Sequence, residues 1–188
     1  MAAPAGHDVR ARELRWGDFE DLTEAYYLLY EERETNPDIG IHLFERRPTL
    51  ADEVSWFASL YRRVLLGDAI VAVGERDGRA VGNCVIGRVG PTADSEQAHQ
   101  GVLGILVHRD HRGQGVGRAM LARALNEARG KFEVVQLGVL TVNSRARRLY
   151  EEFGFRTVGH MPKFMRRAGR YYDDETMVLD LTAAAANR

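Results

Sequence analysis

The chain has 188 residues, 45% of them hydrophobic, with 26 Lys and Arg against 27 Asp and Glu and a formal net charge of −1. That length suffices for the buried core of one ordinary globular domain, and so balanced a charge favours neither nucleic acid nor an anionic membrane as a partner. The single Cys84 excludes an intrachain disulfide and a multi-cysteine zinc site, and no metal centre is assigned.

Residues 1–7 have neither a basic nor an apolar run and read as a disordered start. No stretch is long enough to span a membrane, so the expected compartment is the cytoplasm. Alternation over residues 9–14 predicts a short strand. Asp18 is a candidate cap for a helix over residues 19–33, where Leu22, Tyr26, Leu29 and Tyr30 keep the helical period. Residues 36–48, with two prolines and a glycine, form a loop. Thr49 opens a second helix to about residue 66, with Val54, Phe57, Ala58, Tyr61 and Leu65 inward. Residues 69–74 and 79–89 are strands joined across Asp77-Gly78, a hairpin signal. Cys84, inside the second of them, is expected to be a small buried apolar residue. A polar loop over residues 90–97 leads to a strand over residues 99–107. A helix over residues 116–128 and a parallel neighbouring strand over residues 132–140 follow. Residues 155–163 and 171–179 make a last hairpin, and residues 183–188 a frayed tail. The whole reads as a single α/β (α+β) domain over residues 1–188.

Two motifs carry chemistry. Between the strand ending at Val107 and the helix opening at Val116 lies Arg112-Gly113-Gln114-Gly115-Val116-Gly117, a glycine-rich turn at a helix N-terminus. Unpaired amides and partial positive charge make such a turn a site for a phosphate or pyrophosphate. Its spacing fits neither a P-loop, which needs Gly-Lys-Ser/Thr, nor the dinucleotide fingerprint, since Arg118 stands where the third glycine belongs. The second motif is Asn143-x-x-Ala146-x-x-Leu149-Tyr150-x-x-x-Gly154-Phe155. Asn143 serves as N-cap, Ala146, Leu149, Tyr150 and Phe153 share one helix face, and Gly154 ends the helix.

Together these motifs resemble the two signatures of the GNAT superfamily of N-acetyltransferases, in the right order, and the resemblance covers roughly residues 69–180. It implies a mixed, mostly antiparallel sheet in which one parallel strand pair splays open beside the cofactor helix. It implies acetyl-CoA as acyl donor. The pantetheine arm would pair with the backbone of Ile105, Leu106 and Val107, and the pyrophosphate would sit on the amides of Arg112, Gly113, Gln114, Gly115, Val116, Gly117 and Arg118. Asn143 is assigned to the same cofactor site, and one of Arg145, Arg147 and Arg148 is a candidate for the 3′-phosphate. Tyr150 is the expected proton donor to the leaving thiolate.

An amine acceptor must also lose a proton. The two positions where relatives carry a base are Gly101 and Gly138 here. His99, two residues from Gly101 on a regular strand, is the candidate base; His42, Glu34, a water chain or no protein base at all remain alternatives. Loops 36–48 and 161–172 are expected to select the acceptor, a small-molecule amine or a peptide N-terminus. A homodimer through a sheet edge or the last hairpin also fits the resemblance. The rival readings are a catalytically silent domain that binds acyl-CoA as a sensor or partner module, and a plain nucleotide-binding α/β protein.

Overall fold

The computed structural model describes residues 9–90 and 93–182; the expected disordered start and frayed tail lie outside the described residues. Seven strands and four helices follow the expected order: β1 (Arg10–Glu13), α1 (Phe19–Thr35), α2 (Leu50–Leu65), β2 (Ala69–Arg76), β3 (Arg79–Arg88), β4 (Gln100–Val107), α3 (Val116–Ala128), β5 (Val134–Leu140), α4 (Ser144–Glu152), β6 (Arg156–Arg167) and β7 (Arg170–Asp180). The strands form one sheet in the order β1-β2-β3-β4-β5-β7-β6. Only β4 and β5 run parallel, and α3 crosses between them.

Each face of the sheet is covered. Met120, Leu121, Ala124 and Ala128 of α3 pack with Ile86, Leu103, Val135 and Met177 on one face. Phe57 and Leu60 of α2 and Leu22 of α1 pack with Val71 and Val73 on the other. Cys84 is fully buried in the first core, and burial pushes its thiol pKa up to about 12, so it behaves as a small apolar residue there. The β2–β3 turn has Asp77 at φ 51° and Gly78 at φ 80°, the pair of positive φ values that a tight hairpin turn needs.

Several local expectations are corrected. Asp18 does not cap α1 with its side chain; the carboxylate takes the Arg12 guanidinium at 2.7 and 2.8 Å and the Arg15 amide at 2.7 Å. In α2 the inward residues are Glu53, Phe57 and Leu60, while Val54 (48% exposed) and Leu65 (73%) face solvent. The last hairpin runs to a tight turn at Ala168-Gly169, because Pro162 and Lys163 sit in an irregularity between Met161 and Met165 rather than ending the strand. No helix among the described residues is long and apolar enough to cross a membrane.

Candidate active site

The β4–β5 ladder holds for three pairs only, Gln100↔Val134, Gly101↔Val135 and Val102↔Gln136. Beyond them the strands part, while β4 stays paired to β3 as far as Val107. Residues 103–107 therefore offer an unpaired backbone edge, an arrangement that an extended ligand can complete as an added strand. The opening is the middle of a cleft of about 1820 Å³ that runs from the turn before α3 to the faces of α1 and α2. Ile105, Leu106 and Val107 all line it.

At one end stands the glycine turn. Gly113 (φ 82°) and Gly115 (φ 86°) both take left-handed backbone, and Gly115 is the N-cap residue of α3. Gly117 opens toward Ile105, Val107 and Leu149. The long side chains brace the turn from outside. Arg112 donates to the Val107 carbonyl at 3.2 Å and to Glu32 at 2.7 Å, Gln114 donates to the Asp110 carbonyl and accepts from Arg76, and Arg118 pairs with Glu152. The expected Arg112 amide is taken by the Arg109 carbonyl at 3.4 Å, so the fixed loop presents the amides of residues 113–118, with open space beside Gly115. Those features fit a pyrophosphate.

The second motif folds against this turn. The Asn143 carbonyl oxygen accepts the Ala146 amide at 3.1 Å, and its amide nitrogen donates to the Gly40 carbonyl at 2.8 Å. Asn143 lines the cleft, but both polar ends of its side chain serve the fold, as cap of α4 and as tie to the 36–48 loop. Arg145 lies over Gly113, where an added Cβ would come within 2.6 Å of its guanidinium. Arg148 also lines the cleft, whereas Arg147 is turned away and pairs with Glu151 and Glu175. Tyr150 lines the cleft and is 5% exposed; burial raises its phenol well above the ordinary value, so it stays protonated.

The candidate bases fare differently. His99 lies in the turn before β4, exposed and outside the cleft, so the same-face argument from a regular strand does not apply. Glu34 is exposed on the last turn of α1 and also stands outside the cleft, whereas His42 lines it beside Phe164. Position 101 points into the α3-side core, where a Cβ would meet Ile86 Cγ2 at 2.6 Å. The β4 residues on the cleft wall of the opposite face are Val102, Gly104 and Leu106. At position 138 a Cβ would meet Asp174 Oδ2 at 2.8 Å.

Two acids also stand on the cleft wall. Asp174 of β7 and Glu53 of α2 line the cleft and are 8% and 5% exposed, and burial raises both carboxyls above the usual carboxylate range. Tyr26 and Trp56 flank Glu53 on the cleft wall. No metal-ligating cluster occurs among the described residues.

A sheet that splays at its parallel pair beside a glycine turn defines the class: an α/β protein with an open strand edge running to an anion-binding helix N-terminus. A profile of the acetyltransferase (GNAT) family matches residues 12–155, and the chain belongs to that family. An L-amino acid N-acyltransferase of Escherichia coli is 37% identical over 79 residues, 41% of this chain and 45% of that enzyme. The chain thus spans about half the length of that relative. An N-alpha-acetyltransferase, RimI, of Mycobacterium tuberculosis is 36% identical over 115 residues, 61% of this chain and 70% of the relative. The yncA protein of Salmonella typhimurium, solved with its cofactor acetyl-CoA, superposes with a TM-score of 0.76 at 25% identity, over 92% of this chain and 94% of that one.

Proposed function

We propose that the protein is an acetyl-CoA-dependent N-acetyltransferase acting on the primary amine of a small amino-acid-like molecule or of a peptide N-terminus. The observation that carries this reading is the continuity of the cleft. The unpaired β4 edge, the glycine turn, the buried Tyr150 and the acids Glu53 and Asp174 all line a single opening. The edge and the turn fit the donor, and the carboxylates fit an ammonium group. The names of the amino-acid and α-amine acyltransferases among its relatives support the choice of acceptor. A lone buried thiol fits a reducing compartment, in keeping with the expected cytoplasmic location.

In this reading the backbone of Ile105, Leu106 and Val107 holds the pantetheine arm, and the amides of residues 113–118 hold the pyrophosphate. Arg145 stands nearest for a further phosphate. Acetyl-CoA supplies an activated acyl group, so the protein's main task is to place the amine against it and to exclude water. Tyr150, kept protonated by burial, donates to the departing sulfur.

The test is thiol release from acetyl-CoA across amino acids, short peptides with free N-termini, polyamines and aminoglycosides, with CoA affinity measured in parallel. Turnover with the α-amino acceptors is expected. CoA binding with silence across the panel would favour an acyl-CoA-binding module, and absence of CoA binding would overturn the assignment of the turn.

A further inference from the structure

The acceptor compartment contains a carboxylate with an unusual setting. Asp174 follows Tyr172 on the inward side of β7 and pairs across the sheet with Leu140, four residues past the last β4–β5 pair at Gln136. The neighbouring β5 residue toward the splay is Gly138, and the missing side chain there leaves the space that the Asp174 carboxylate occupies. Asp174 as a residue is 8% exposed, its carboxylate opens on the cleft, and among the described residues no hydrogen bond or ion pair reaches it. A largely buried carboxylate with no protein partner, opening on a cleft, is free to meet a cationic ligand there. The charged groups that bear on it are Glu175 on its own strand, which raises its pKa, and His42 on the 36–48 loop, which lowers it; burial outweighs both.

We infer that Asp174 is the general base that takes the proton from the acceptor's ammonium group. The inference rests on the proposed acetyltransferase activity. The ammonium supplies the missing partner: it neutralises the buried carboxylate on binding and then gives it one proton. The freed nitrogen forms the amide bond to the acetyl carbon as the carbon–sulfur bond breaks. The sulfur takes a proton from Tyr150, which recovers it from the nitrogen's second N–H. Asp174 then returns its proton to solvent, so the exchange closes as ammonium plus thioester giving amide, thiol and one proton.

The test compares Asp174→Asn and the double variant Asp174→Ala/Gly138→Glu with the natural chain, on the acceptor found active above. Asp174→Asn should lower kcat/KM about 100-fold or more, the scale of a lost general base, with CoA affinity unchanged. Its pH profile should change shape. The natural enzyme levels off once Asp174 ionises, whereas the variant should climb about tenfold per pH unit to the acceptor's own pKa, because only free amine reacts. The melting temperature should hold or rise, since the variant removes a desolvated charge, and a merely structural residue would lower it. The double variant puts a carboxylate back from the opposite strand and should recover at least about tenfold of the loss. Natural activity retained in Asp174→Asn, or a fall in activity matched by a fall in melting temperature with no change of profile, would overturn the inference. A natural chain that releases no thiol with any acceptor would overturn the proposed function and this inference with it.

Discussion

Replacing Gly115 by aspartate puts a negative charge where the proposed pyrophosphate sits. Nothing lies within 4 Å of a Cβ at this position, so no packing is disturbed. The cost to the fold is the left-handed φ of 86°, about 1–2 kcal/mol for a residue with a side chain. Part of this is offset by about 0.3–1 kcal/mol from a carboxylate at the α3 N-terminus. A net loss of about 1 kcal/mol lowers the melting temperature of a chain this size by about 2–4 °C. The effect on the ligand is larger. Two unit charges 4 Å apart at an effective dielectric of 20 repel by about 4 kcal/mol. The turn is solvent-exposed, so roughly half of that is retained, and the resulting loss of about 2 kcal/mol weakens CoA about 30-fold. Gly115→Asn is the matched control, because it has the same shape, tolerates the same φ and carries no charge. Titration calorimetry at two salt concentrations should show the aspartate variant binding CoA about 30-fold more weakly than the asparagine variant, with the gap narrowing as salt rises. Equal affinities for the two variants, with both folded, would refute the assignment of the anion to this turn.

Tyr150→Phe should leave CoA affinity and melting temperature unchanged and lower turnover about tenfold or more, measured as thiol release under saturating donor. Asn143→Ala loses the α4 cap and the tie to Gly40, which should cost about 1–2 kcal/mol and appear as a drop of several degrees in the melting temperature. Gly101→Glu should supply no base and should instead destabilise the chain by about 3 kcal/mol or more, because the side chain enters the core against Ile86; thermal unfolding checks this.

The elements with strong punctuation were legible from sequence. The Asp77-Gly78 turn, the Asn143 cap, the Gly154 stop and the α3 bounds all stand where local chemistry puts them. The departures that bear on the cleft each have a physical cause. In α2 the apolar period points Val54 and Leu65 inward, but the cleft turns Glu53 inward, so the real face is rotated. Functional surfaces break the binary pattern in this way. His99 was misplaced by a one-residue difference in where β4 starts. The facing of position 101 depends on the strand's two-residue alternation, which the sequence of β4, apolar or glycine from Gly101 on, does not register. Asp174 lies in the acidic run Asp173-Asp174-Glu175, whose composition does not tell an edge strand from a stretch that borders a ligand. Its signal was the alternation with Tyr172, which shares its buried face.

The two halves of the cleft differ in how they are built, and the difference bears on selectivity. The donor side is mostly backbone: a strand edge and a turn of glycines, which set few demands on side chains. The acceptor side is walled by the 36–48 loop, and side chains of the last hairpin fasten that loop. Arg167 donates to the carbonyls of Pro37, Ile39 and Ile41 at 2.6–2.8 Å, Tyr172 donates to the Pro37 carbonyl and to Asp38, and Arg170 pairs with Asp38. Three carbonyls satisfy a partly buried guanidinium that cannot shed its charge, so the link resists opening. Tyr172 grips the loop from the strand face that also carries Asp174. The acceptor wall and the proposed base therefore share one support, and a substitution in the hairpin displaces both together. Acceptor preference is then a property of the frame from α1 to β7, and changes confined to the glycine turn should alter donor affinity while leaving the order of acceptors intact.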